Sequence, residues 1–451
     1  MTDLFAVSDP GEARGRTITA REILDRGAER IAALQEQPEV RARLMSTMGS
    51  VYQNLGLYDP ARRLLEDSLR IRRELHPSGD PVVADGLREL GGLETEVGNY
   101  ERAVTLLQEA RAMRRAIDGE ESHDQAVILH DLGHTLYQLT RYDDADPLYR
   151  RAIAIFERHP IEKDIELAAV TSSLAQLLHS NGEFAEAESL FRKALSMRRT
   201  ALGDDHPDIA EAKHNLATVL HDERHLDEAE RLYRESLALS EKVQGVDHPD
   251  VADTLVNLAR LLREKGDFQG AEDMLRRTLA IDQRVYGDSH ENVAYDYKEL
   301  ANLQHDRGKI AEAEATYNRS LTMYRNTVPP DSPYLAVTLN GLGKLLLESG
   351  RTRDAEPVLR ESLKIAGASF ADDHWLLLTA RSLLGACLGA SGRYEEAEPL
   401  LVKSYEGFIA TLGKSDPRTR AALGRVIDLY QGWGRTDRVT FWRAEQTPRE
   451  N

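Results

Sequence analysis

Cysteine is almost missing from this chain. A single residue, Cys387, stands among 451, which excludes an intrachain disulfide framework and a cysteine-based zinc site. No apolar run approaches the roughly 18 residues a membrane helix needs, so no membrane insertion is expected. Basic residues are outnumbered, 58 Lys+Arg against 76 Asp+Glu, a formal charge of −18. Such a field repels a phosphate backbone, and no nucleic-acid partner is expected. The opening stretch MTDLFAVSDPGEARG has neither a basic n-region nor an apolar h-region. No secretory signal is read there, and the expected compartment is cytoplasmic. Catalytic strings are missing too: there is no G-x-S-x-G elbow, H-R-D or D-F-G string, or glycine-rich phosphate loop.

What the chain does have is a period. Stepping by 42 from Gly56 reaches Gly98, Thr140, Gly182, Arg224, Gly266, Gly308, Gly350, Gly392 and Gly434 without an insertion or deletion. Five residues after each of these stands alanine, from Ala61 to Ala397, until Val439 breaks the column. Seven before each stands Gly or Ala, from Gly49 to Gly385, until Ile427. Glycine at the turn suits a left-handed residue ending one helix. The two small columns lie where paired helices cross closely. Apolar residues between them keep helical spacing, as in Leu258, Leu261 and Leu262, and nothing alternates with period 2. Each copy is therefore a helix pair that buries its apolar face against its neighbours.

These columns resemble the tetratricopeptide repeat, whose usual period is 34. The linking phrases ALGDDHPDIAEAKHNLATVL and VQGVDHPDVADTLVNLARLL resemble the 42-residue, kinesin-light-chain-like variant. Pro81, Pro207, Pro249, Pro333 and Pro417 share one register and are expected to start the first helix of a pair. The resemblance implies an all-α, right-handed superhelical solenoid of about ten antiparallel helix pairs. It covers residues 39–446, the last copy being a degenerate cap. Residues 1–16 and 447–451 read as loose, and 17–38 as an N-terminal capping helix. The first 70 residues also resemble the segment that follows the catalytic domain in many bacterial serine/threonine kinases with repeat tails.

Two motifs could carry chemistry. Cys387 falls in an otherwise mostly aliphatic column (Leu261, Leu303, Leu345, Leu429) and reads as a core residue. HDLGH, residues 130–134, places two histidines four apart, as half of a zinc-protease motif does. Together with His179, they would supply three nitrogens to a metal-dependent hydrolase. However, zincins use H-E-x-x-H, and Asp131 is one methylene short. No metal, cofactor or catalytic residue is expected.

HDLGH instead belongs to a face at offsets −10, −6 and −3 from the turn residue, spaced i, i+4, i+7. In the tetratricopeptide family this face lines a groove where peptides bind. Along the ten copies it carries Arg88, His130, His134, His179, His214, His221, Arg260, Arg263, Lys298, Asn302, His305, Asn340 and Lys344. Of its thirty positions only Asp428 is acidic, where 30 × 76/451 predicts roughly five. Six are histidine, where 30 × 14/451 predicts roughly one. An acidic protein thus carries a solvent-facing groove cleared of acid, although Glu96, Asp222, Glu264, Asp306 and Glu348 stand one residue beyond it, at −2.

The sequence therefore predicts a non-catalytic scaffold or adaptor. Its partner is an acidic or extended peptide with an apolar anchor, clamped by Lys298, Asn302, Asn340 and Lys344 through charge-assisted hydrogen bonds. Histidines near their ordinary pKa of about 6.5 would tighten such binding on mild acidification. The alternative is the regulatory arm of a signalling enzyme, such as a serine/threonine kinase, acting in trans.

Overall fold

The computed structural model describes residues 24, 25, 27, 31, 34–160 and 165–446. The segments read as loose, 1–16 and 447–451, lie outside the described residues, and so does most of the expected capping helix 17–38. Of that helix, Leu24 and Ile31 are described and are buried against the first pair, and Asp25 accepts a hydrogen bond from the Tyr52 hydroxyl at 2.5 Å.

The described residues form helices and no strands. The repeat array falls into two compact units, Met1–Glu223 and Arg224–Asn451. The first holds α1 (Pro38–Asn54), α2 (Tyr58–Leu75), α3 (Pro81–Glu96), α4 (Tyr100–Asp118), α5 (His123–Gln138), α6 (Tyr142–Arg158), α7 (Ile165–Ser180), α8 (Phe184–Leu202) and α9 (Pro207–Asp222). The second begins with α10 (Leu226–Val243), α11 (Pro249–Glu264), α12 (Phe268–Tyr286), α13 (Glu291–Asp306), α14 (Ile310–Thr327) and α15 (Pro333–Glu348). It ends with α16 (Thr352–Ser369), α17 (Trp375–Ala390), α18 (Tyr394–Leu412), α19 (Pro417–Gly432) and α20 (Thr436–Ala444). Odd-numbered helices are first helices of a copy, and even-numbered ones are second.

Local sequence explains the boundaries. Pro81, Pro207, Pro249, Pro333 and Pro417 each open a first helix as expected, where the missing N–H is not needed. At the residue before the helix, His206, His248, His290 and His374 act as N-caps: their Nδ1 accepts the backbone N–H two residues on. These four histidines therefore have a structural task, one for which Ser, Thr, Asp or Asn is usual. Between first and second helix, every turn residue takes a left-handed φ. Thr140 and Arg224 do so at 57° and 67° where the other copies use glycine, a conformation uncommon for a non-glycine residue.

The small column seven before the turn makes room for the side chain nine after it. A Cβ added to Gly133 would lie 2.8 Å from the Tyr149 ring, and one on Gly343 would lie 2.3 Å from Leu359. Both neighbours are buried and cannot swing aside. Cys387 is fully buried with its thiol 3.3 Å from the Thr352 carbonyl, and burial pushes the thiol pKa up. It is a core residue, as its column implies.

Within each unit successive first helices touch: α1 with α3, α3 with α5, α5 with α7 and α7 with α9, then α11 with α13 and onward to α19. Successive second helices stand further apart, with no close backbone approach among the described residues. They are spanned instead by long ion pairs such as Arg73–Glu109, Lys193–Glu157 and Arg325–Glu361. The closer approach of the first helices puts them on the inner side of each unit's curve. At the chain's far end, the short α20 lays Trp442 edge-on against Tyr405.

Candidate functional site

The inner face is organised by a step of 43 residues. A side chain at −10 meets the −9 position of the next copy, and one at −3 meets the next −2. In the first unit this joins Arg88 to Asp131 at 3.2 Å, His130 to Ser173 at 2.9 Å, Tyr137 to Ser180 at 3.0 Å and His179 to Asp222 at 2.6 Å. In the second it joins Arg263 to Asp306 at 3.5 Å, His305 to Glu348 at 2.8 Å and Arg425 to Ser382 at 2.9 Å. The expected acid-cleared face is therefore interleaved with acids at −9 and −2, which hold its basic groups.

Exposure also departs from the expected solvent-facing row. His221, Lys298 and Asn340 are buried at 6%, 8% and 6% exposure, and His214 and Arg260 are half-buried. The expected clamp is largely committed to the fold. Lys298 Nζ lies 2.6 Å from Glu299 and 3.8 Å from the centre of the Tyr295 ring. Asn302 donates to Glu299 and accepts from the Tyr317 hydroxyl. Asn340 Oδ1 accepts from Ser362, and its buried Nδ2 has no hydrogen-bond partner. Lys344 keeps the most freedom, half-exposed and 3.8 Å from Glu348.

The centre of this cluster is Glu299, a residue the three-column reading skipped. Burial pushes its carboxyl up, but the charges of Lys298, Arg260 and Arg263 outweigh this and bring its pKa to about 2. In the first unit, Arg88 and His134 line a cleft of about 470 Å³ with Gln53, Thr95, Tyr100 and Gln138. His134 is solvent-exposed there, and its Nε2 lies 3.3 Å from Gln138 Nε2. Burial in the surrounding concavity lowers the His134 pKa, and burial lowers that of His130, with Asp131 opposing in each case. The expected tightening near pH 6.5 shifts accordingly to lower pH for these two. His130 and His134 hydrogen-bond to different partners, a hydroxyl and an amide. Neither belongs with His179 to a group of ligand atoms close enough to share a metal.

Sequence profiles described as tetratricopeptide repeat match residues 82–158, 166–242, 208–284, 250–326 and 300–368, with two further such profiles over 41–81 and 378–402. The chain is a tetratricopeptide-repeat protein.

Among solved structures, this repeat protein is similar to the apo form of RapI, at 12% identity and TM-score 0.53, over 87% of this chain and 98% of that one. It is also similar to the apo form of the quorum sensor NprR from B. thuringiensis, at 15% identity and TM-score 0.53, over 79% and 99%. A putative kinesin light chain from Podosopora anserina with nearly identical repeats matches at 22% identity and TM-score 0.39, over 46% and 99%. Curated protein sequences give no match. Family and fold support a protein-interaction scaffold with an all-α repeat architecture.

Sequence reading missed a second acidic group. Asp296 and Asp282 are buried at 2% and 5% exposure, and Asp253 stands above them on α11. Burial, reinforced by the neighbouring carboxylates, raises the pKa of Asp296 to about 9 and that of Asp282 to about 6. A signal was present: Asp296 stands in a column otherwise filled by apolar, small or threonine residues (Ile128, Val170, Ala212, Thr254, Thr338, Ala380, Ala422).

Proposed function

We propose that this protein is a non-catalytic scaffold that holds an extended segment of a partner protein along the inner face of its first helices. The observation carrying this reading is the polar cleft of about 470 Å³ in the first unit. It presents half-exposed Arg88 and exposed His134 beside Gln53 and Gln138, a mixture of donors and acceptors suited to peptide backbone. An extended chain leaves its N–H and C=O groups unsatisfied, and side-chain amides, imidazole and guanidinium can pair with them. The 43-residue ladder fixes Arg88 through Asp131 and Gln53 through Glu96, so these two lose little rotamer freedom on binding. Lys344, half-exposed on α15, offers a contact of the same kind in the second unit.

Selection of displayed random peptides on the intact protein tests the reading. Enriched peptides should bind the wild type and lose at least tenfold in affinity to an Arg88→Glu variant whose helicity is unchanged. Loss on the outer-face variant Arg277→Glu, with Arg88→Glu still binding, would move the partner site off the inner face.

A further inference from the structure

In the second unit a cavity of about 210 Å³ opens beside Val256, an inner-face position, and reaches down between α11, α13 and α15. Its floor holds Asp282, Asp296 and Tyr324, at 5%, 2% and 1% exposure. Asp282 Oδ1, Asp296 Oδ2 and the Tyr324 hydroxyl have no hydrogen-bond partner there. Three orphaned polar atoms in one enclosed site are costly, because each forfeits its hydration. Exposed Asp253 and half-exposed Tyr334 form the mouth. The Tyr334 ring stacks on Tyr324 with centres 5.6 Å apart and planes inclined by 5°.

No cationic side chain lines this cavity. The nearest one in sequence, Lys298, is held by Glu299 and the Tyr295 ring instead. The site thus offers carboxylates and aromatic rings and lacks the positive charge that would complement them. A bare metal ion is a poor fit: the three aspartates do not bring one ligand atom each within 4.8 Å of one another. An organic cation fits better, since its N–H groups can span separated carboxylates while its charge lies against tyrosine rings. At roughly 30 Å³ per water in the liquid, the volume exceeds what one water would fill.

We infer that this cavity receives the ammonium or guanidinium head of a lysine or arginine carried by the partner segment. The inference rests on the inner-face reading above and adds a specificity element to it, a basic anchor in the second unit. Binding has a proton signature. With Asp296 shifted to about 9, its carboxyl is protonated at neutral pH in the free protein, the carboxylates of Asp282, Asp253 and Glu299 adding to burial and Lys298 opposing. A cation entering the cavity favours the ionised carboxylate, so it displaces that proton to solvent.

The test is calorimetric titration of the full chain with acetyl-Gly-Gly-Lys-Gly-Gly-amide, its arginine counterpart and a norleucine control. The basic peptides should bind saturably at millimolar concentration or better, at least tenfold tighter than norleucine. Comparison of buffers with different ionisation enthalpies should show proton release at pH 7. D296N combined with D282N should lower affinity for the basic peptides at least tenfold with helicity intact. Y334L, at the rim, should weaken binding without touching the buried acids. Equal binding of norleucine, no binding of either basic peptide, or full retention by the aspartate double variant would overturn the inference. If display-selected segments still bind through Arg88 in that case, the scaffold reading stands alone. If they also fail, both readings fall.

Discussion

In the first unit, inner-face polar groups meet as pairs at the surface, Arg88 with Asp131 and His130 with Ser173. In the second, charges are sunk between the helices. Glu299 and Asp296 lie three residues apart on α13, both at 5% exposure or less, and their pKa values shift in opposite directions. Burial opposes ionisation of both. Glu299 faces Lys298, Arg260 and Arg263 and stays charged, whereas Asp296 faces Asp282 and Asp253 and takes up a proton. The same helix therefore supplies a structural ion that joins two neighbouring copies and a neutral acid that awaits a cation. Local charge, more than burial, decides which of these a buried carboxyl becomes.

The sharpest way to break this contrast is to remove the anion from each unit. Glu299→Ala leaves Lys298 buried without its counter-charge, and losing one partner of a buried pair costs about 3–5 kcal/mol. Asp131→Ala releases Arg88 from a half-exposed pair, for which about 0–1 kcal/mol is expected. Urea unfolding of both variants measures the difference. Similar losses would mean that the second unit's charges are no more deeply committed than those of the first.

A smaller effect of opposite sign is expected at Asp296. Its folded pKa, about 9, lies above the unfolded value of 3.8. The folded state therefore binds more protons between those values, and stability falls as pH rises through that window. Asp296→Asn removes this loss and should stabilise the protein at pH 7 by about 1–3 kcal/mol. The gain should shrink toward pH 4, where the wild-type acid is protonated in both states. Thermal melts at pH 4 and pH 7 that show one constant difference would contradict the assignment.

How much of this the sequence disclosed follows from the geometry. The 42-residue columns encode contacts inside a copy, such as Gly343 beneath Leu359 and Ala at the turn's far side, so the helix pairs were legible. The inner-face ladder joins residues 43 apart, across copies and one column over. Reading the −10, −6 and −3 columns set the acids at −2 beside this face without showing that they pair with its basic groups in the preceding copy. Arg88 was recognisable as an inner-face residue, while Asp131, its partner, fell just outside the columns read. Lys298 and Asn340 looked exposed because helical phase says which side a residue faces, not how closely the next helix approaches. The cavity was the least legible, since Asp282, Asp296 and Tyr324 come from three helices and meet only through stacking.

The smallest effect concerns the first unit's imidazoles, and it tests whether that surface is as weakly committed as the comparison holds. Burial lowers the His130 pKa below its ordinary 6.5, with Asp131 opposing and His134 adding to the shift. The unfolded chain then binds more protons below pH 6.5, so stability declines as pH falls from 6.5 toward the folded value. Above that window the neutral ring keeps its hydrogen bond to the Ser173 hydroxyl. His130→Gln can still bond to Ser173 but does not titrate, so the variant should lose less stability than the wild type between pH 6.5 and pH 5. The change should be smaller than that at Asp296, because His130 is only half-buried and Asp131 offsets part of its shift. Parallel urea midpoints for wild type and variant across that range would show that His130 keeps its ordinary pKa. A steeper dependence in the variant would locate the acid-sensitive group elsewhere on the inner face.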